Sequence, residues 1–124
     1  MSDKTHFIGR TALVTGGTSG IGLAIATKLA EQGARVLASG IVSPEDGDEA
    51  CRRIAATSGA ESHYLKADLR RPDEIEALIR QAESFGGAID ILINCAGLQH
   101  TSSIEEFPVD VWNDMIAVNL SASF

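Results

Sequence analysis

Runs of lysine or arginine, paired cysteines, long apolar segments and all but a few aromatics are missing from this chain of 124 residues. With a formal charge of -7 and no basic block, it lacks the clustered positive charge that a DNA or RNA backbone requires, which excludes nucleic acid as a partner. The longest apolar stretches are interrupted by Asp90 and Asn94, well short of a bilayer, and Met1 to Arg10 mixes Asp3, Lys4 and His6 with isolated apolar residues rather than a leader's apolar core. The expectation is a soluble, cytoplasmic chain with no membrane partner. Cys51 and Cys95 belong to no Cys-x-x-Cys pair, and His6, His63 and His100 share no ligand-like spacing, so neither a disulfide framework nor a metal site is expected, only buried free thiols. What is present is ordinary: 44% apolar and 22% charged residues, with 12 glycines and only 5% aromatics, a composition suited to helices packed closely on a sheet.

Apolar periodicity alternates between short runs and helical stripes, the pattern of strands alternating with helices. Thr11–Thr15 reads as a buried strand, followed by a glycine turn and a helix with Ile21, Ala24, Ile25 and Leu29 on one face, ending at Gly33. Ala34–Ser39 reads as a second strand, then a polar turn with Pro44 and Gly47 and a helix over 48–58 with Ala50, Ile54 and Ala55 as its stripe. His63–Ala67 is a third strand. Pro72, Asp73 and Glu74 open a helix with Ile75, Leu78, Ile79 and Ala82 at i, i+3, i+4, i+7, closed by Gly86-Gly87. Ala88–Ile93 reads as a central strand covered on both faces, and Pro108 opens a last helix, still running at Phe124, in which Trp112, Met115, Ile116, Asn119 and Leu120 share a face. No repeat, linker or low-complexity segment interrupts this order. With right-handed crossovers the units assemble into an α/β, doubly wound parallel sheet of order 3-2-1-4 with helices on both faces, whose ligands sit beyond the carboxyl ends of the strands.

The residues at those strand ends carry the chemistry. Thr15-Gly-Gly-Thr-Ser-Gly-Ile-Gly22 joins a strand directly to a helix. Its glycines allow a sharp turn and a close approach to a pyrophosphate, while free amides at the helix start face the anion, so Gly16, Thr18, Ser19, Gly20, Ile21 and Gly22 are candidates for a dinucleotide cradle. No Lys-Ser or Lys-Thr follows the glycines, which excludes a P-loop. The competing account is a simple tight turn. At the second strand end stand Gly40 and Ile41, neither acid nor base. No Lys or Arg occurs from Val36 to Cys51, whereas Glu45, Asp46 and Asp48 lie near, so a 2'-phosphate would meet repulsion and NAD is favoured over NADP; those acids serve equally well as a solvated loop and cap.

After the third strand, Asp68 has a carboxylate that can accept from an adenine amino group and Leu69 an amide that can donate to the ring; the alternative is an acid preceding a helix beside Arg70 and Arg71. Asn94, Cys95, Ala96 and Gly97 end the fourth strand, small enough for a ribose to lie against the backbone, with Asn94 able to tie neighbouring strands; the alternative is a simple turn. Asn119, on the apolar face of the last helix, needs a hydrogen-bond partner there, either a water or backbone group near a reaction centre or a neighbour in the core.

The glycine turn, Asp68-Leu69, Asn94-Cys-Ala-Gly97 and Asn119, in this order and over essentially the whole chain, resemble the short-chain dehydrogenase/reductase family. Within it, Gly97-Leu-Gln-His-Thr101, Ile104-Glu-Glu-Phe-Pro-Val-Asp110, Trp112-Asn113 and Asn119-Leu-Ser-Ala122 are similar to bacterial D-3-hydroxybutyrate dehydrogenases. The resemblance implies NAD as cofactor, hydride transfer between nicotinamide and the C3 hydroxyl of a short hydroxy acid (3-hydroxybutyrate to acetoacetate), Gln99 against the substrate carboxylate, and Asn119 as the catalytic asparagine that holds a water in the proton relay. Gln99 is otherwise an exposed loop amide. It also implies a homo-oligomer, commonly a tetramer, pairing through the helix that begins near Pro108. Cys95 stands where the family usually has a second asparagine, and the second strand end lacks the commoner aspartate.

The family's chemistry also needs a Ser and a Tyr-x-x-x-Lys after a fifth strand, in which lysine lowers the tyrosine pKa. The one tyrosine, Tyr64, has Asp68 four residues later. Residues 1–124 are therefore expected to be the amino-terminal half of a dinucleotide-binding domain, truncated before those groups and inactive alone. The alternatives are a related dehydrogenase acting on a polyol, a sugar acid or an acyl thioester, and a catalytically dead nucleotide-binding fragment.

Overall fold

The computed structural model describes residues 6–124, so the first half of the opening segment read above lies outside the described residues. Strands β1 (Thr11–Thr15), β2 (Arg35–Gly40), β3 (Ser62–Lys66) and β4 (Ile91–Asn94) form one parallel sheet in the order β3-β2-β1-β4. Thr15 lies opposite both Ser39 and Asn94, and Gly40 opposite Lys66, so the carboxyl ends of all four strands meet along one edge. The helices are α1 (Gly20–Glu31), α2 (Pro44–Ala55), α3 (Pro72–Glu83) and α4 (Val109–Ile116).

Alternation along the strands divides the core into two layers. Ala12, Val14, Val36 and Ala38 face α1 and α2, where Ala26, Ala30, Cys51 and Ile54 meet them. Leu13, Leu37 and Leu65 face the other way onto Leu78 and Ala82 of α3. Leu13 and Leu37 are fully buried, each contributing about 2 kcal/mol of transfer free energy.

Four local expectations are corrected. The buried stripe of α1 is Gly22, Ala26 and Ala30 rather than Ile21, Ile25 and Leu29, and Ile21 is 74% exposed. The strands beneath α1 carry alanine and valine, so small residues let the helix lie close to the sheet, and closeness outweighs side-chain bulk. Helix α2 starts at Pro44, four residues before the sequence reading, because Ser43 caps it by accepting from the Asp46 amide at 3.2 Å and Pro44 fits the first turn. Strand β4 is shorter than expected, Ile91–Asn94 rather than Ala88–Ile93, and in the described sheet it lies beside β1 with Leu92 49% exposed. Finally, α4 continues into a wider turn over Ala117–Ser121, in which the Ala122 amide reaches back five residues to the Ala117 carbonyl (2.8 Å). Within this turn Val118 is buried, whereas Trp112, Ile116 and Leu120, expected on one apolar face, are exposed.

Candidate functional site

The glycine turn occupies the mouth of the sheet as the sequence requires. Gly16 and Gly20 have φ of +65° and +53°, left-handed backbone that a side chain strains. A Cβ on Gly16 would stand 3.0 Å from the Ala96 backbone, and one on Gly22 would collide with the Gly16 carbonyl. The turn is thus pressed against the β4 end on one side and against its own helix on the other. Thr15 ties the strand ends: its Oγ1 accepts from the Cys95 and Ala96 amides at 3.2 Å each and donates to the Ile93 carbonyl at 3.5 Å. The strand tie therefore runs through Thr15, not through Asn94.

Helix α1 opens with no acidic residue in its first turn and no side-chain cap from Ser19. Its early amides have no partner within the helix and its positive dipole end is uncompensated. In front of it is a cleft of about 590 Å³ that brings together Gly16, Thr18, Ser19, Gly20, Ile21, Gly22, Asp68, Leu69, Cys95, Ala96 and Gly97. Gly40, Ile41, Val42 and Arg70 line it as well, whereas Glu45, Asp46 and Asp48 do not. Asn94 faces a separate hollow with Thr15 and Val118. Gln99 and Asn119 line an adjoining recess of about 530 Å³ that shares Cys95, Ala96, Gly97 and Leu98 with the main cleft.

Asp68 is already engaged. Its Oδ1 accepts from the Arg70 amide and Nε, both at 3.0 Å, and its Oδ2 from Nη2 at 2.7 Å. The Arg70 side chain, then its amide, hold the carboxyl down to about 2, and the same pair raises the guanidinium. Arg70 also reaches Asp114 of α4 at 3.4 Å. Arg70 is a lining residue of the cleft that is not among the residues expected there. Its contact with Asp114 spans 44 positions, and the only local signal was its closeness to Asp68.

Asn119 is exposed rather than buried in an apolar face, yet both ends of its amide are used: Oδ1 accepts from the Leu98 amide (2.8 Å) and Nδ2 donates to the Leu98 carbonyl (2.9 Å). It fixes the loop between the two recesses. Cys51 is buried, and burial raises its thiol; Cys95 is half-buried at the cleft, and both are free. Among the described residues no cluster of three or more His, Cys, Asp or Glu could hold a metal, and no helix is long and apolar enough to cross a membrane.

This geometry suits a long ligand with an anion at its centre. Uncompensated amides open onto the cleft, and Asp68 and Arg70, just beyond β3, line it together with the backbone from Cys95 to Leu98. Glycine at 16 and 22 lets the turn pack against the Ala96 backbone and its own carbonyl, which keeps the helix start open to the cleft, so the residues fit a dinucleotide.

Residues 10–124 match the family model described as short chain dehydrogenase. The chain is 48% identical over 117 residues to the D-beta-hydroxybutyrate dehydrogenase of Cupriavidus necator, covering 94% of this chain and 44% of that protein. It is 45% identical over 116 residues to the enzyme of that name from Rhizobium meliloti, covering 93% and 45%. A crystal structure of a short chain dehydrogenase from Burkholderia cenocepacia in complex with NADP superposes with a TM-score of 0.88 at 32% identity, covering 94% of this chain and 47% of that one. The chain therefore spans less than half the length of these relatives.

Proposed function

The chain belongs to the short chain dehydrogenase family, an oxidoreductase family that binds a nicotinamide cofactor, and from that premise we propose that it forms the cofactor-binding half of an NAD-dependent 3-hydroxybutyrate dehydrogenase. The single observation that carries the proposal is the bare start of α1, opening onto a cleft with the four strand ends around it.

In this account the amides of Gly20, Ile21 and Gly22, with the Thr18 and Ser19 hydroxyls, hold the pyrophosphate. Asp68 and the Leu69 amide take the adenine, Asp68 doing so while Arg70 keeps it ionised. The close-packed backbone from Asn94 to Gly97 accepts the nicotinamide ribose, and the Gln99 amide donates to the substrate carboxylate. Asn119 holds the Leu98 peptide, and through it the floor on which substrate and a relay water rest. Bound nicotinamide supplies the acceptor for hydride from the C3 hydroxyl carbon. The hydroxyl proton needs a general base, and the family's Ser and Tyr-x-x-x-Lys are not among these residues, so the activity proposed is that of the whole protein.

NAD is chosen on this chain's own groups, although the Burkholderia relative holds NADP. Gly40, Ile41 and Val42 offer no cation to a 2'-phosphate, and the one guanidinium at the cleft is committed to Asp68 and Asp114. The exposed Val109, Trp112 and Ile116 of α4 support pairing with a second copy.

The test is reduced-nicotinamide formation by the intact protein with 3-hydroxybutyrate, a polyol, a sugar acid and a 3-hydroxyacyl thioester. Turnover should be greatest for 3-hydroxybutyrate, and Gln99→Ala should raise its KM about tenfold with the KM for NAD within about twofold. Preference for another substrate, or equal effects on both KM values, contradicts the assignment.

A further inference from the structure

The turn that forms the ribose edge of the cleft is held from behind by a residue outside the cleft. Tyr64 lies in β3 opposite Ala38, on the sheet face that packs against α2. Its hydroxyl donates to the Val42 carbonyl at 2.8 Å, across 22 positions of sequence. Its ring lies beneath Gly47 so closely that a Cβ on that glycine would fall among the ring carbons, and Cε1 stands 3.8 Å from where a Cβ on Gly40 would be. Glycine at 47 is thus what allows the first turns of α2 to rest on the ring.

The same short turn is fastened at each end. The Gly40 carbonyl accepts from the Ala67 amide (3.0 Å), and the Ser43 carbonyl accepts from the Gly47 amide (2.9 Å) while its hydroxyl caps α2. Between these ties Ile41 is 67% exposed and borders the cleft, and Thr18 is 3.3 Å from the Cβ position of Gly40. The backbone from Gly40 to Ser43 can move outward only by giving up the Tyr64 bond, which would leave the Val42 carbonyl without that partner. In a strand-glycine-helix unit the end of the second strand is where the ribose hydroxyls lie. A 2'-phosphate there needs both a cation and added room, and the tied turn yields neither.

We infer that Tyr64, through its hydroxyl on Val42 and its ring under Gly47, is a positioning residue for cofactor selection, holding the Gly40–Ser43 turn against the ribose so that a free 2'-hydroxyl is accepted and a 2'-phosphate refused. The inference rests on the NAD assignment above. Tyr64 touches neither ribose nor phosphate in this account. It acts by setting the position of the backbone that does.

The experiment measures the affinities of the intact protein for ADP-ribose, 2'-phospho-ADP-ribose and nicotinamide mononucleotide. Wild type should bind ADP-ribose the more tightly. Tyr64→Phe keeps the ring under Gly47 and removes one hydrogen bond, so ADP-ribose affinity should fall about fivefold and its preference over the 2'-phosphate at least about threefold. Nicotinamide mononucleotide affinity should stay within about twofold, which a general loss of structure would not allow. Gly47→Ala, which displaces the ring from the other side, should shift the preference in the same direction and serves if Tyr64→Phe does not fold. An unchanged preference in folded Tyr64→Phe overturns the role of Tyr64 and leaves the NAD assignment standing. A wild type that favours the 2'-phosphate overturns the NAD assignment, and the inference with it.

Discussion

Three helices begin at or near the carboxyl edge of this sheet, and they begin differently. Helix α2 is capped by Ser43 and carries Glu45 and Asp46 in its first turn, and α3 carries Asp73 and Glu74. Those side chains answer the positive ends of their helices, and Glu74 also accepts from the Asp68 amide at 3.0 Å. Helix α1 has no acid and no side-chain cap; it follows Gly16 and begins on Gly20, both with positive φ. The chain compensates two helix ends and leaves the third bare, beside the cleft lined by strand-end residues, and under the proposed function that end is the one that takes an anion from outside. The contrast separates helix starts closed by their own side chains from one that is proposed to be closed by a ligand.

The contrast breaks most completely at Gly16. Gly16→Val puts a branched side chain on left-handed backbone and against Ala96, and should lower NAD affinity about a hundredfold while circular dichroism still reports a folded sheet. Giving α1 the acid that its neighbours have is a gentler change. Ser19→Asp should add about 0.5 kcal/mol of helix stability and yet weaken NAD about tenfold, because its carboxylate takes the place of the phosphate. If Ser19→Asp stabilises the protein without affecting NAD affinity, the bare start has no ligand role.

The smallest effect is at Asp68. Its folded carboxyl is held at about 2, below the ordinary aspartate value near 4, so the Arg70 link favours folding above about pH 4 and is lost as pH falls toward 2. Carbon NMR of the side chain should show that low midpoint, and Arg70→Met should return it toward the ordinary value. Equal midpoints in the two proteins would mean that the ion pair does not form in solution.

The sequence disclosed best what is local. The glycine spacing after β1 and the Pro72-Asp-Glu start of α3 follow from residues near one another in the chain, the 3-2-1-4 order follows from strands alternating with helices through right-handed crossovers, and all appear in the structure. Interactions across the sheet were silent. Thr15 meets the Cys95 amide 80 positions away, Tyr64 meets Val42 at 22, and Arg70 meets Asp114 at 44. Each joins residues whose separate roles in strand or turn gave no reason to pair them. The α1 stripe was misjudged for a different cause: bulky Ile21 and Ile25 dominate a periodicity count, while packing distance selected Gly22, Ala26 and Ala30. Pro44 misled similarly, because the same residue suits a turn and the first position of a helix.

The most direct test follows the backbone amides of all three helix starts by nitrogen NMR as NAD is titrated into the intact protein, with adenosine as the control. The account predicts that Gly20, Ile21 and Gly22 shift with NAD and stay in place with adenosine, which has no phosphate, while the first-turn amides of α2 and α3 move little with either. Shifts of similar size at all three starts, or unmoved amides at α1 under saturating NAD, would contradict the claim that the bare end of α1 is the pyrophosphate site.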